Sequence, residues 1–321
     1  MKTLLITIVL LVSNVVGCLA AQEGGGVVVG AERLPEYIHL LQGKRVGVLT
    51  SRTAIIEGTH IIDTLLKSGV EIKRIFAPQR GIDGGKNDRL NNSYFGIEIV
   101  TLNQPPKAND VFACDVVVCD IQGDGVRDCS EVLSLGWMMQ VCADIAVPLV
   151  VLDYPNPMGR RVDGAILDSK YRTKGELPLP LLHGMTLGEL ALMTNGEGWL
   201  SGGVKCPLTV VPYIGNAYSD SEELSSLLFQ VFVENLGVEL TVVVSGKDGI
   251  DLTRLIEAYR ASAKPEEFIE CCDGTLDSLM GVEYVDDMIE LGYSSDEICS
   301  MWRADANRFE EQRKAYLLYE N

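Results

Sequence analysis

The chain has 321 residues, 47% of them hydrophobic, so it can bury a sizeable core and most simply forms two domains. Its formal net charge is −18. Binding to nucleic acid or to anionic lipid requires clustered Lys and Arg, so this acidic balance excludes a nucleic-acid partner from our expectations.

The first residues predict an export signal. A short positive start precedes an apolar stretch at 4–16 of signal-peptide length. Val15-Val16-Gly17-Cys18 resembles a bacterial lipobox, which predicts a signal peptide at 1–17 and a membrane anchor of acyl chains on Cys18. The alternative is ordinary cleavage near Ala20, which gives a soluble exported protein. Residues 18–43 are then the lipidated N-terminus and a tether.

The cysteines and histidines predict no metal site. The chain has nine cysteines, without a C-x-x-C pair, and three histidines. We also expect no cofactor. Export permits disulfides, but the sequence does not give their pairing.

Residues 44–206 predict a Rossmann-like domain. Apolar runs at 45–50, 70–78, 97–102, 115–121 and 148–153 alternate with helical patterns, including one over about Ser130–Ile145. This alternation is typical of a parallel sheet covered on both faces. No G-x-G-x-x-G follows the first strand, so a dinucleotide is not expected.

Polar residues follow three of these strands. They are Gln79 and Arg80 after the second strand, Asp120 and Gln122 after the fourth, and Asp153 and Asn156 after the fifth. Ligands of open parallel sheets bind outside the carboxyl ends of the strands, so this pattern predicts a cleft there. The other interpretation of Asp153 is that it only caps its own loop.

A further candidate follows the long irregular stretch 158–182. His183 comes just before Thr186 and Glu189, a capping-box pattern that predicts the start of a helix near the cleft. A lone histidine is more often structural than catalytic, and the sequence alone favours the structural role.

Residues 207–321 predict a smaller C-terminal α+β domain. The pattern predicts strands at 207–213 and 238–244, and helices over about Ser221–Asn235, Asp251–Ala261, Val285–Leu291 and Ser295–Tyr319. The aromatic residues of the last helix are expected in the core.

Taken together, these stretches resemble the NamZ-type exo-β-N-acetylmuramidase family. The matching stretches are 44–50, 120–122, 152–159, 180–190 and the tail at 292–298 and 313–319. The resemblance implies a Rossmann-like domain with a smaller one and a site between them. It also implies a muramyl sugar derived from peptidoglycan as the ligand. With this resemblance we expect Arg80, Gln122, Asn156 and His183 to bind the substrate, and Gln79, Asp120 and Asp153 to occupy the catalytic positions.

The chain departs from this family at two places. Where the family typically has Gly-Pro-Glu-His-Gly, this chain has Ala77-Pro78-Gln79-Arg80-Gly81. The resemblance makes that glutamate the presumed catalytic acid, and Gln79 has no proton acidic enough to replace it. Arg80 is suited to pair with the lactyl carboxylate of muramic acid. A Glu-Gly-Thr…Ser-Glu-Gly-Arg-Gly-Thr segment expected after Val210–Tyr213 is also missing.

Three hypotheses follow from these departures. The favoured one is a degenerate, exported surface lipoprotein that keeps the fold and sugar binding but not hydrolysis. The second is an active muramidase whose acid or base has moved to Asp120, Asp153, Asp83 or Asp124, with Gln79 positioning the acetamido group. The third, a nucleotide- or phosphate-dependent enzyme, rests on fold analogy alone.

Overall fold

The computed structural model describes residues 26–78, 93–94, 96–217, 226–233, 238–262 and 275–319. The strands are β1 (Arg45–Thr50), β2 (Ile55–Ile56), β3 (Thr59–His60), β4 (Glu71–Pro78), β5 (Ser93–Tyr94), β6 (Ile97–Leu102), β7 (Val116–Asp120), β8 (Leu149–Leu152), β9 (Leu208–Val211), β10 (Ser226–Val233), β11 (Val238–Ser245) and β12 (Gly249–Asp251). The helices are α1 (Leu34–Tyr37), α2 (Ile61–Lys67), α3 (Ala108–Val111), α4 (Ser130–Ile145), α5 (Leu187–Gly196), α6 (Thr253–Ala261), α7 (Thr275–Met280), α8 (Val285–Glu290), α9 (Ser295–Met301) and α10 (Arg303–Arg313).

A seven-stranded sheet is the centre of the fold. Its order is β5-β6-β4-β1-β7-β8-β9, and every neighbouring pair except β5 and β6 is parallel. The strands of the middle are buried along their whole length, as the near-continuous apolar runs predicted. The predicted α/β class with a Rossmann-like parallel sheet is confirmed.

Successive apolar side chains of the strands point to opposite faces of the sheet. Both faces are therefore apolar, and helices cover each of them. Val117 and Val151 lie in the core that includes α4 and α5. Val116 and Val150 point to the opposite side, where they share a core with α1 and α2. The carboxyl ends of β1, β4, β7 and β8 therefore meet at one edge of the sheet, between two layers of helices.

The smaller C-terminal region packs against the α4 side. A three-stranded sheet, β10-β11-β12, and the helices from α6 onward contribute residues such as Val244, Met280 and Phe309 to the same core as Met138 of α4. No helix among the described residues is long and apolar enough to cross a membrane.

Two expectations about the elements at 207–235 differ from the structure. Residues 226–233 of the predicted helix Ser221–Asn235 form β10, which pairs along its whole length with β11. The apolar, aromatic and β-branched composition of Leu227–Val233 suits a strand once a partner is present. The strand predicted at 207–213 is β9, which extends the large sheet beside β8 instead of belonging to the smaller domain.

The predicted tether and final helix also differ from the structure. From Gly30 the chain forms short helices whose Tyr37 and Leu41 are fully buried, so the tether cannot extend to residue 43. Gly30 crosses the ends of β8 and β9, where a Cβ atom would lie 2.4 Å from the Val211 carbonyl oxygen. The helix predicted over Ser295–Tyr319 is two helices joined at Trp302, followed by an extended tail.

Candidate functional site

The candidate site lies at the carboxyl edge of the sheet. Gln122, Asn156 and His183 line one small pocket, together with the turn after β8 and the first residues of α5. The structure thus brings three of the four predicted binding residues together. The fourth, Arg80, lies outside the described residues, and so do Gln79, Asp83 and Cys18.

Asp120 ends β7 and is completely buried. Its Oδ1 accepts a hydrogen bond from the Tyr154 hydroxyl at 2.7 Å, whereas its Oδ2 has no hydrogen-bond partner in the described part of the chain. Thr50, its register partner on β1, also has a buried hydroxyl without such a partner. Burial raises the pKa of Asp120 to about 7, against the lowering effect of Tyr154. Near neutral pH this carboxyl group is therefore about half protonated.

Asp153 is also completely buried, but both of its oxygens are occupied. Oδ2 accepts from the hydroxyls of Thr186 and Tyr319, each at 2.6 Å, and Oδ1 accepts from the Gly188 amide at 2.8 Å. Burial raises the pKa of Asp153 to about 6, although these hydrogen bonds lower it. A carboxylate so enclosed is suited to holding the site together. This geometry argues against its predicted catalytic role.

The first turn of α5 packs directly against the Asp153 carboxylate. Thr186 Oγ1 accepts from the Glu189 amide at 3.1 Å, and Glu189 Oε2 accepts from the Thr186 amide at 2.9 Å, which is the predicted capping box. A Cβ atom on Gly188 would lie 2.6 Å from Asp153 Cγ. Glycine is therefore required at 188 for the helix to bring this residue's own amide to the carboxylate.

Asn156 and His183 shape the pocket through their backbone contacts. Asn156 donates from Nδ2 to the Met185 carbonyl at 3.0 Å and accepts the Met158 amide on Oδ1 at 2.8 Å. His183 Nδ1 accepts the Met185 amide at 3.2 Å, which leaves the ring proton on Nε2. Burial, with the nearby Arg313 and Arg127 cations, lowers the pKa of His183 to about 3.

The histidine is therefore neutral at physiological pH and cannot act as a cationic acid. Gln122 differs from both neighbours because it is exposed at the mouth of the pocket. Among the three predicted binding residues that the structure describes, Gln122 has the side chain most open to a ligand.

Sequence reasoning missed the residues that close this edge from the C-terminal side. Arg160 donates from Nη1 to both oxygens of the buried Glu189, at 3.0 and 2.8 Å. The Leu318 amide donates to Glu189 Oε1 at 2.9 Å, and Arg313 donates to the carbonyls of His183 and Gly184. Of these features, the local sequence predicts only the capping position of Glu189. Arg160 lies 29 residues before Glu189, whereas Leu318 lies 129 residues after it and Arg313 lies 130 residues after His183.

The fold and site define a two-part α/β protein with a pocket at the carboxyl ends of a parallel sheet, whose C-terminal segment bonds to Asp153 and Glu189 at the same edge. The chain belongs to the exo-β-N-acetylmuramidase NamZ family. The model of the family's N-terminal domain matches residues 46–232, and that of its C-terminal domain matches residues 237–319. The resemblance seen in the sequence is thereby confirmed.

Relatives agree with this assignment. Peptidoglycan β-N-acetylmuramidase NamZ of Bacillus subtilis is 30% identical over 257 residues, which cover 74% of this chain and 59% of that protein. Among solved structures, the DUF1343 family protein BF0379 of Bacteroides fragilis has a TM-score of 0.76 at 30% identity, covering 92% of this chain and 99% of that one. A second such protein, BF0371, has a TM-score of 0.68 at 20% identity and supports the fold alone.

Proposed function

We propose that this protein binds muramic-acid-containing fragments of peptidoglycan at the carboxyl edge of its sheet and has lost their hydrolysis. Family membership supports the ligand class, since the relative in Bacillus subtilis is named a peptidoglycan β-N-acetylmuramidase. The exposed side-chain amide of Gln122, which borders this small pocket, is suited to hydrogen-bond a sugar at the sheet edge.

One observation carries the loss of hydrolysis: the two carboxyl groups that end β7 and β8 are completely buried. Glycosidases of the usual kind need two carboxyl groups that flank the scissile bond. Neither Asp120 nor Asp153 lines the pocket, and both oxygens of Asp153 are already bonded. At the position that the resemblance gives to the catalytic glutamate, the chain has Gln79.

The test is sugar release from a chromogenic β-N-acetylmuraminide, with calorimetric binding of N-acetylmuramic acid measured in parallel. We expect binding without release from the parent protein, and binding weakened at least tenfold by Gln122→Ala. Glu311→Gln, an exposed site on α10, is the matched control and should leave binding unchanged. Release well above that of a heat-treated sample would overturn the loss of hydrolysis. Release gained only in Gln79→Glu would support it directly.

The properties of Asp120 favour a second candidate function, an active muramidase in which this residue serves as the general acid. A carboxyl group with a pKa of about 7 and an unbonded Oδ2 has the properties of a general acid at neutral pH. Its use requires the Tyr154 turn to move, because the group has no exposed surface. Under this hypothesis the parent protein releases sugar and Asp120→Asn abolishes the release. Equal rates in the two would exclude it.

We propose further that the protein is exported and anchored through acyl chains on Cys18. The lipobox-like sequence 15–18 at the end of the apolar segment supports this assignment. Cys18→Ser should move the protein from the membrane fraction to the soluble fraction in cells. If the parent protein is already soluble and begins near Ala20, ordinary cleavage replaces the anchor.

A further inference from the structure

A second and roomier cavity lies along helix α4. It has a volume of about 450 Å³, opens to solvent, and is lined mainly by residues 136–144 of α4, the loop 169–177 and the segment 199–201. Val132 borders the small pocket at the sheet edge, whereas Gln140 borders this cavity. At 1.5 Å per helical residue, the two positions are roughly 12 Å apart along α4. The cavity is therefore separate from the candidate site.

The wall opposite α4 is held firmly in place. The Trp137 indole donates its hydrogen to the Lys174 carbonyl. Gly175 has φ +95, and a Cβ atom there would lie 2.1 Å from Trp137 Cδ1. A Cβ atom on Gly136 would in turn lie 2.4 Å from the Gly175 carbonyl oxygen. These close contacts clamp the loop on the helix, so the cavity is preformed.

The lining combines an aromatic surface with cations. Trp199 is half-buried, and it borders the cavity together with the mostly buried Trp137. Arg172 and Lys174 are exposed on the loop, and within the described residues neither forms an ion pair. The acids of the same lining are already engaged: Asp144 accepts from Gln140, and Glu176 accepts from the Thr173 amide.

Arg172 and Lys174 thus place two positive charges beside an indole in a chain of net charge −18. The planar arginine fork and the lysine ammonium complement a carboxylate, and an aromatic face offers apolar surface to a ring. A cavity of this size and mixed lining has the properties of a small-molecule site.

We propose that this cavity is a second binding site, which takes a carboxylate-bearing saccharide. Its ring packs on Trp199, and its carboxylate pairs with Arg172 and Lys174. The choice of a sugar acid as ligand rests on the proposed function, because muramic acid carries such a carboxylate. The site then holds a second ligand molecule, independent of the pocket at the sheet edge.

The three tryptophans of the chain provide the test. Trp137 and Trp199 border the cavity, whereas Trp302 bonds Asp163 in the smaller region. The full-length protein is labelled with 5-fluorotryptophan and titrated with N-acetylmuramic acid, and the three ¹⁹F resonances are followed. We expect saturable shifts of the Trp137 and Trp199 resonances with no shift for Trp302. The neutral N-acetylglucosamine should require at least tenfold higher concentration.

Charge variants decide whether the cations bind the carboxylate. The double change Arg172→Ala/Lys174→Ala should weaken the shifts at least tenfold. The control Lys67→Ala/Arg254→Ala removes the same charge from exposed positions elsewhere and should leave them unchanged. Gln122→Ala, at the sheet-edge pocket, should also leave the two resonances responsive.

Failure of this inference is distinguishable from failure of the proposed function. In one outcome, Gln122→Ala removes the calorimetric binding, and the Trp137 and Trp199 resonances of the parent protein do not shift. This result overturns the second site and leaves the proposed function standing. Equal responses to the neutral and acidic sugars overturn the role of the cations. A third outcome is that Gln122→Ala leaves both the calorimetric binding and the ¹⁹F shifts of Trp137 and Trp199 unchanged. This result would support the cavity as a binding site and contradict the site at the sheet edge.

Discussion

Tyr319 donates its phenolic hydrogen to Oδ2 of Asp153, 166 residues earlier in the chain, at 2.6 Å. The tyrosine ring stacks on Tyr213 with centroids 3.8 Å apart, and the Arg160 guanidinium lies 5.6 Å from its centroid. The tail of the protein is thus tied to the end of a central strand. Four expected outcomes follow from this edge of the sheet.

Tyr319→Phe should lower the free energy of unfolding by about 2 kcal/mol, because a hydrogen bond to a buried carboxyl group is lost while the ring remains. The change also removes the acceptor of the Tyr213 amide. Urea denaturation measures the effect. Tyr316→Phe is the control, since its hydroxyl meets the exposed Glu197, and it should change stability by less than 0.5 kcal/mol or so. Equal effects of the two changes would contradict the role of Tyr319.

Glu189→Gln should destabilise the protein by about 3 to 5 kcal/mol. It leaves the Arg160 guanidinium, whose side chain is 13% exposed, without its buried carboxylate partner. Glu311→Gln breaks an ion pair whose side chains are 58% and 73% exposed, so its effect should be about zero. Thermal and urea unfolding of both variants check the contrast. A mild effect of Glu189→Gln would show that water reaches Arg160.

The free energy of unfolding should decrease as the pH rises through the raised pKa of Asp120. Burial raises its pKa to about 7, against about 3.9 in an unfolded chain, so the folded state binds more protons between these values. The stability from this group is fully present below about pH 4 and is lost as the pH rises through 7. Its contribution falls by at most about 1.4 kcal/mol per pH unit.

Asp120→Asn should remove this slope and make the protein more stable than the parent at pH 8, where the buried charge is otherwise present. The comparison is urea denaturation from pH 4 to 8. Asp248→Asn, an exposed control, should run parallel to the parent. A parent and Asp120→Asn with the same slope would disprove the raised pKa.

Gly188→Ala should destabilise the protein by about 1 to 3 kcal/mol, because the new methyl group meets Asp153 Cγ at 2.6 Å and Val210 Cγ1 at 2.7 Å. Gly123→Ala is a suitable control, since its nearest neighbour would lie at 3.6 Å. Calorimetric melting of the two variants measures the difference. An unchanged melting temperature of Gly188→Ala would mean that the first turn of α5 can move to accommodate the methyl group.

The sequence predicted those features that depend on neighbours along the chain. The parallel strands, the strand-end positions of Asp120 and Asp153, and the capping box of Thr186 and Glu189 all follow from local patterns. Burial of the two aspartates could not be read in this way, because it depends on Tyr154 and Tyr319 folding over them.

The errors at 226–233 and 208–211 have the same origin, because both depend on partners that are distant in the sequence. Residues 226–233 form an apolar run that periodicity alone cannot assign to a helix or a strand, and pairing with β11 decides it. The strand at 208–211 was predicted, but its place beside β8 depends on the whole crossover through α5. The predicted roles of Gln79, Arg80 and Cys18 remain predictions, since they lie outside the described residues.

The tie between the tail and the sheet edge also has a consequence for synthesis. A ribosome delivers the polypeptide from its N-terminus, and domains formed early begin to fold before the rest has emerged. The large sheet can assemble once β9 is made, yet Asp153 and Glu189 obtain their last partners only when residues 318 and 319 appear. Until then the edge contains buried acids with unfilled hydrogen-bonding capacity. Completion of this edge therefore waits for residues 318 and 319, more than a hundred residues after β9 has been made.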